Sequence, residues 1–146
     1  MAAIRTVLIV DDELHVRSAL SRILQHDGYT VLTAADGEEA LQLLATETIQ
    51  VVLTDQNMPG LVGTDLLDVV TERHPAVFSL VITGGNEPDV RNRYRVIHKP
   101  WNNAELRTIL HLAFQVVQLE EEKRRLVELL EEERTTREQP PRSEPG

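Results

Sequence analysis

The apolar run Val51-Val52-Leu53 is followed closely by a carboxylate, Asp55, that the run gives no packing reason to hold. Pro59, Gly60 and Gly63 come next, so the chain turns away directly after the acid. Asp11 and Asp12 end a second apolar run, Val7–Val10, while Thr83-Gly84 and Lys99-Pro100 end two more. Three carboxylates brought together repel one another, and at least one pKa rises. A divalent cation resolves that conflict, and all-oxygen ligands beside a phosphate suit Mg²⁺. With the cation in place, Asp55 is a carboxylate nucleophile for a phosphorus centre. Lys99 then supplies a point charge and Thr83 a hydroxyl to the phosphoryl oxygens, and Gly84 leaves room for the group to enter.

That chemistry works only if the strand ends converge. Apolar runs too short for helices read as buried strands at 6–10, 30–34, 49–54, 77–83 and 96–98. Helical spacing fills 13–26, the segment after Asp36-Gly37, and 64–74, which stops before Pro75. Asp12 is placed to cap the first helix and Gly28 to end it. Between Asn86 and Arg95 only a short helix fits, opened by Pro88. Strands alternating with helices define an α/β fold with a parallel sheet and right-handed crossovers. The expected order is the flavodoxin-like 2-1-3-4-5, for which the chemotaxis receiver is a known example; ligands there bind outside the carboxyl ends of the strands. In that order strands one, three, four and five are neighbours, and their terminal residues meet at one edge.

Composition narrows the function classes. A formal net charge of −9 argues against a nucleic-acid surface, which takes clustered Lys and Arg. The absence of cysteine removes disulfides and thiolate metal sites. Val7–Val10 is too short for a signal segment and no run reaches membrane-spanning length, so no membrane partner is expected and the cytoplasm is the default location. The five histidines show no metal-ligand spacing. Arg91, Arg93 and Arg95 read as a solvated basic edge, and Gly84-Gly85 is no P-loop because no G-K-[ST] follows.

The motifs V-D-D-E, D-x-N-M-P-G-x-x-G, V-I-T-G-G and K-P-W, in this order, resemble the receiver domain of two-component response regulators, from residue 4 to about 118. The resemblance implies that Asp55 is the phospho-acceptor, fed by a histidine kinase or a histidine phosphotransfer protein. It implies Mg²⁺ held directly by Asp12 and Asp55, through water by Asp11, and by the backbone carbonyl of Asn57. Thr83 and Lys99 would hold the phosphoryl group, with Lys99-Pro100 cis. It implies no enzyme beyond self-phosphorylation and autodephosphorylation. A haloacid-dehalogenase-type phosphatase also uses an aspartyl nucleophile but wants a second acid two residues on, where Asn57 stands. Two departures bear on signalling. The family's switch aromatic, three residues before the lysine, is Val96 here, and Tyr94 is not assigned its role. Thr83 and Lys99 are close in sequence, which shortens the fourth helix by roughly one to two turns. A degenerate receiver serving as a constitutive dimerisation scaffold is therefore the alternative function.

The division expected is a receiver at 1–118, a helical, coiled-coil extension at 119–138 and a disordered tail at 139–146. From Asn103 the pattern stays helical to about Arg134. Leu106, Leu110, Ala113 and Val117 form a stripe for the sheet. Ile109, Leu112, Val116, Leu119, Lys123, Leu126 and Leu130 alternate by three and four, as heptad positions a and d do. Leu119, Leu126, Leu129 and Leu130 have nothing in their own domain to pack against, so a parallel coiled-coil homodimer is expected. Past the helix only a short tail remains, consistent with a stand-alone receiver or with one cut before an output domain.

Overall fold

The computed structural model describes residues 4–85 and 88–138. Its elements are β1 (Thr6–Val10), α1 (Leu14–His26), β2 (Thr30–Ala34), α2 (Gly37–Thr46), β3 (Val51–Asp55), α3 (Gly63–Arg73), β4 (Phe78–Thr83), α4 (Pro88–Arg93), β5 (Arg95–His98) and α5 (Asn103–Glu138). The strands form one parallel sheet in the order β2-β1-β3-β4-β5. This is the expected flavodoxin-like fold with a long C-terminal helix. Among the described residues, no helix is long and apolar enough to cross a membrane.

The unbroken apolar runs of β1 and β3 follow from burial on both faces, with alternate side chains feeding two cores. Val7, Ile9, Leu53, Leu80 and Ile82 pack with Leu20 and Leu24 of α1 and Leu106 and Leu110 of α5. Leu8, Val10, Val52 and Val81 pack on the other face, with Ala40 of α2, Leu66 and Val70 of α3, and Val90 of α4. Each fully buried Leu or Ile contributes about 1.5–3 kcal/mol relative to exposure. These cores fix the strands, and the strands fix their carboxyl ends.

Several boundaries differ from the sequence reading. Asp12 does not cap α1. The N-cap is Glu13, without a side-chain bond, and Asp11 Oδ1 accepts from Glu13 N–H at 2.9 Å. A carboxylate two residues back reaches that amide in an Asx turn, which leaves Asp12 exposed. Gly28 does end α1, at φ +92°. Asp36 caps α2 by accepting from Glu39 N–H, while Glu39 Oε2 accepts from Ala35 N–H. β3 starts at Val51 rather than Ile49, because Gln50 is tied to Thr6 through both its backbone and its side chain. It runs on to include Asp55, whose register partner on β4 is Ile82. β4 starts at Phe78 rather than Val77, and β5 at Arg95 rather than Val96.

The short helix expected after Pro88 is α4, six residues long. Its end is tied to α3: Arg93 pairs with the Asp68 carboxylate and Tyr94 O–H donates to it. These two bonds hold Asp68 below the usual carboxylate range. Arg93 is thus paired, whereas Arg91 and Arg95 are exposed.

α5 passes Arg134 and reaches Glu138, with i,i+4 pairs Glu133–Arg137 and Arg134–Glu138 in its last turns. Its buried residues are Leu106, Ile109, Leu110, Ala113 and Phe114. Ile109 therefore faces the sheet rather than continuing the outer stripe. Phe114 joins it, stacked on Tyr29 with centroids 4.9 Å apart. Val117 is half-buried, and every residue from Gln118 to Glu138 is exposed. The tail at 139–146 and the start of the 86–95 segment lie outside the described residues.

Candidate functional site

The ends of β1, β3, β4 and β5 bring five of the six singled-out side chains to one edge, and Asn57 to its rim. Asp11 is buried, Asp55 is 5% exposed and Asp12 faces solvent. One carboxylate oxygen from each lies within 4.8 Å of the others. Lys99 crosses from β5 to place Nζ 3.2 Å from Asp55 Oδ1. Thr83, buried at the end of β4, lies between those two strands. Its Oγ1 accepts from Gly85 N–H at 3.1 Å, and its carbonyl accepts from Lys99 N–H at 2.9 Å. Asn57 N–H points at Asp55 Oδ1 over 3.4 Å, and the Asn57 side chain is exposed. The Lys99-Pro100 peptide is cis.

The electrostatics are those of an acid cluster short of positive charge. Burial pushes the Asp11 carboxyl above its usual value; the Glu13 N–H bond and the Lys99 charge oppose this, and the charges of Asp55 and Asp12 add to it. Asp11 Oδ2 is buried without a hydrogen-bond partner. A buried acceptor left unsatisfied costs about 1–3 kcal/mol. A buried carboxylate oxygen without a partner, on one residue of a three-acid cluster, fits a hard divalent cation with oxygen ligands. Asp11, Asp12 and Asp55 are the side chains that would hold it.

Two glycines differ in what they permit. At Gly63 a Cβ would stand 2.4 Å from the Asp55 carbonyl oxygen and 2.8 Å from Gln56 Cα. Among the described residues, at Gly84 it would meet only Lys99 Cβ at 3.9 Å, an ordinary contact. The room at Gly84 is thus not created by the missing side chain alone. Sequence reading passed over Gln56, a buried polar residue whose carboxamide binds Thr64 at the start of α3. Its signal was a polar side chain continuing a buried strand, ahead of a helix start lacking a Ser, Thr, Asp or Asn cap. It also passed over Arg17, whose Nη1 donates to the Asp11 carbonyl at 2.7 Å.

A five-stranded parallel sheet of this order, with acids, a threonine and a lysine at its carboxyl edge, defines a receiver of two-component signalling. The chain belongs to the response regulator receiver domain family, whose model matches residues 7–111. It is 39% identical over 103 residues to the hydrogenase transcriptional regulatory protein HoxA of Cupriavidus necator, covering 66% of this chain and 21% of that protein. It is 32% identical over 131 residues to the nitrogen assimilation regulatory protein NtrX of Azorhizobium caulinodans, covering 84% of this chain and 29% of that protein. The chain thus spans less than a third of the length of either relative. Among solved structures, the signal receiver domain of an HD domain-containing protein from Pseudomonas fluorescens matches with a TM-score of 0.76 at 26% identity, over 80% of this chain and 98% of that one. A chemotaxis protein of Vibrio cholerae matches with a TM-score of 0.72 at 30% identity, over 76% of this chain and 99% of that one.

Proposed function

We propose that Asp55 accepts a phosphoryl group from a phosphohistidine on a histidine kinase or phosphotransfer protein. The observation that carries this reading is the convergence of three carboxylates and Lys99 Nζ on one crevice, with Asp11 Oδ2 left unpaired. An Asp55 carboxylate oxygen attacks phosphorus, the P–N bond to the donor imidazole breaks, and the imidazole keeps the electron pair. Lys99 moves its charge from the Asp55 carboxylate to the phosphoryl oxygens, and Thr83 turns its hydroxyl toward them. Asp12, Asp55 and the Asn57 carbonyl directly, and Asp11 through water, would hold Mg²⁺, which would supply the positive charge that lets the acids and the phosphoryl group share the site. Among the described residues no base is placed to activate water, which supports a phosphoryl acceptor rather than a hydrolase. The exchange takes place in the cytoplasm, and the net charge of −9 supports protein partners rather than direct nucleic-acid contact.

Output runs through α5 in a homodimer. Val116, Lys123 and Leu130 take heptad position a, and Leu112, Leu119 and Leu126 take position d; all the apolar members are exposed. A β-branched residue at a with Leu at d favours two parallel strands, and a lone Lys at a selects register. Val96 and the six-residue α4 favour a second reading, a scaffold that dimerises without phosphorylation. Incubation of the full chain with acetyl phosphate and Mg²⁺ separates the two. The first reading expects a mass gain of one phosphoryl group that Asp55→Asn abolishes; no gain, where another receiver is labelled, leaves the scaffold.

A further inference from the structure

Gln56 sits between the acceptor and the carbonyl ligand in sequence, and it is bonded on both its backbone and its side chain. Its N–H donates to the Ile82 carbonyl at 2.9 Å, and its carbonyl accepts from Gly63 N–H at 3.1 Å. Its Oε1 accepts from Thr64 N–H at 2.9 Å, and its Nε2 donates to Thr64 Oγ1 at 3.2 Å. The first-turn amides of a helix need acceptors, and α3 has Val62 at its N-cap, with no side-chain oxygen to offer. Gln56 supplies that acceptor from across the loop. Gly63 lets α3 approach closely enough, since any Cβ there would collide with the end of β3. The loop 57–62 is thereby clasped at its base, and Asn57 is its first residue. Asn57 is exposed, and its N–H bond to Asp55 is long. Gln56 is thus the bonded residue next to Asn57 at the base of the loop.

We propose that Gln56 is a positioning residue for the cation, its clasp on Thr64 holding the Asn57 carbonyl and the Asp55 carboxylate at the spacing the ion requires. This rests on the reading of the acid cluster as a Mg²⁺ site. Mg²⁺ demands near-octahedral geometry at about 2.0–2.1 Å, so a small displacement of one ligand is felt in affinity. Groups that orient metal ligands typically change affinity by about 10–100-fold when lost.

The test is calorimetric Mg²⁺ titration of the full chain, paired with thermal melts in EDTA. Gln56→Met keeps the bulk and removes both side-chain bonds to Thr64, and it should weaken Mg²⁺ binding by about tenfold or more. Thr64→Val keeps the N–H bond and should cost less, and the double variant should bind no more weakly than Gln56→Met alone, as expected of one shared contact. Gln56→Glu still accepts from Thr64 N–H and takes the hydroxyl hydrogen, so it should bind Mg²⁺ more tightly than Gln56→Met and close to wild type. The EDTA melts isolate the cost to the fold. Lower melting points with Mg²⁺ affinity unchanged in Gln56→Met would overturn the proposal. Should Gln56→Met fail to fold, unchanged affinity in Thr64→Val overturns it instead. Wild-type protein that binds no Mg²⁺ would bring down the site reading itself, which separates the two failures.

Discussion

Lys99 Nζ stands 3.2 Å from Asp55 Oδ1 although β4 separates the strands that carry them. The lysine reaches across the end of β4, past Thr83, and serves as counter-charge to the buried carboxylate. This pairing follows from strand order alone. Lys99→Ala should therefore slow phosphorylation by roughly a hundredfold, the typical cost of losing one charge-stabilising donor. Mg²⁺ should bind at least as tightly, because a competing cation has gone. Parallel calorimetry and timed labelling check both, and weaker Mg²⁺ binding would show that Lys99 helps to build the cation site.

Asp11 gives the fold a pH dependence. Its carboxyl titrates above its unfolded value, mainly through burial, with Asp55 and Asp12 pushing it up and Lys99 and the Glu13 N–H holding it down. Arg17 bonds to its carbonyl. A raised folded pKa favours the protonated form, so this contribution to stability is full below the unfolded Asp value and is lost as pH rises through the folded one. Asp11→Asn should raise the melting point of the metal-free protein by a few degrees at neutral pH. The gain should shrink as pH falls through the raised folded value, where wild-type Asp11 itself takes up a proton. Melts across that range in EDTA test it; a gain that grows on acidification would be the wrong sign.

Gly63→Ala and Gly84→Ala make a matched pair. The first forces a Cβ to within 2.4 Å of the Asp55 carbonyl oxygen, and the second, among the described residues, meets nothing closer than 3.9 Å. Overpacking at Gly63 should cost about 1–3 kcal/mol in urea unfolding, whereas Gly84→Ala should be nearly neutral. Equal stability of the two would contradict the close approach of α3 to β3.

The fold was legible because each strand is a short apolar run and each helix a periodic one. Asp11, Asp12, Asp55, Thr83 and Lys99 were legible as polar residues at the ends of such runs. Asp12 was misread as a cap because a helix start does not reveal which of two adjacent acids reaches its amide. Ile109 was misread as outward because a heptad and a sheet-facing stripe share positions where a helix leaves its domain. Gln56 shows only as a polar residue continuing a buried strand, and its partner Thr64 lies eight residues on; Asp68 carries no local signal, because its partners Arg93 and Tyr94 lie beyond β4.

The α5 seam makes a separable prediction. Leu119 and Leu126 are 62% and 60% exposed in the single chain, so neither holds the receiver together. Leu119→Glu and Leu126→Glu should leave the melting point of the receiver nearly unchanged and dissociate the dimer, as sedimentation at micromolar concentration would record. Lys123→Leu should tighten the association, because a charge at position a costs stability. A monomeric wild type, phosphorylated or not, would end the coiled-coil account.

The acyl phosphate should be short-lived. Gly85, whose N–H binds Thr83 Oγ1, puts no side chain near the acceptor. Gly85→Leu should slow dephosphorylation, followed as loss of the added mass over time, and faster loss would contradict this account.

The most direct measurement maps the phosphoryl group itself. Protein treated with acetyl phosphate and Mg²⁺ is reduced with borohydride, which converts an aspartyl phosphate to homoserine, then digested and sequenced by mass spectrometry. The expected result is homoserine at Asp55 alone, lost when EDTA is added or when Asp12 is changed to Ala. Homoserine at Asp11 or Asp12, or undiminished conversion of Asp55 in EDTA, would contradict the central claim.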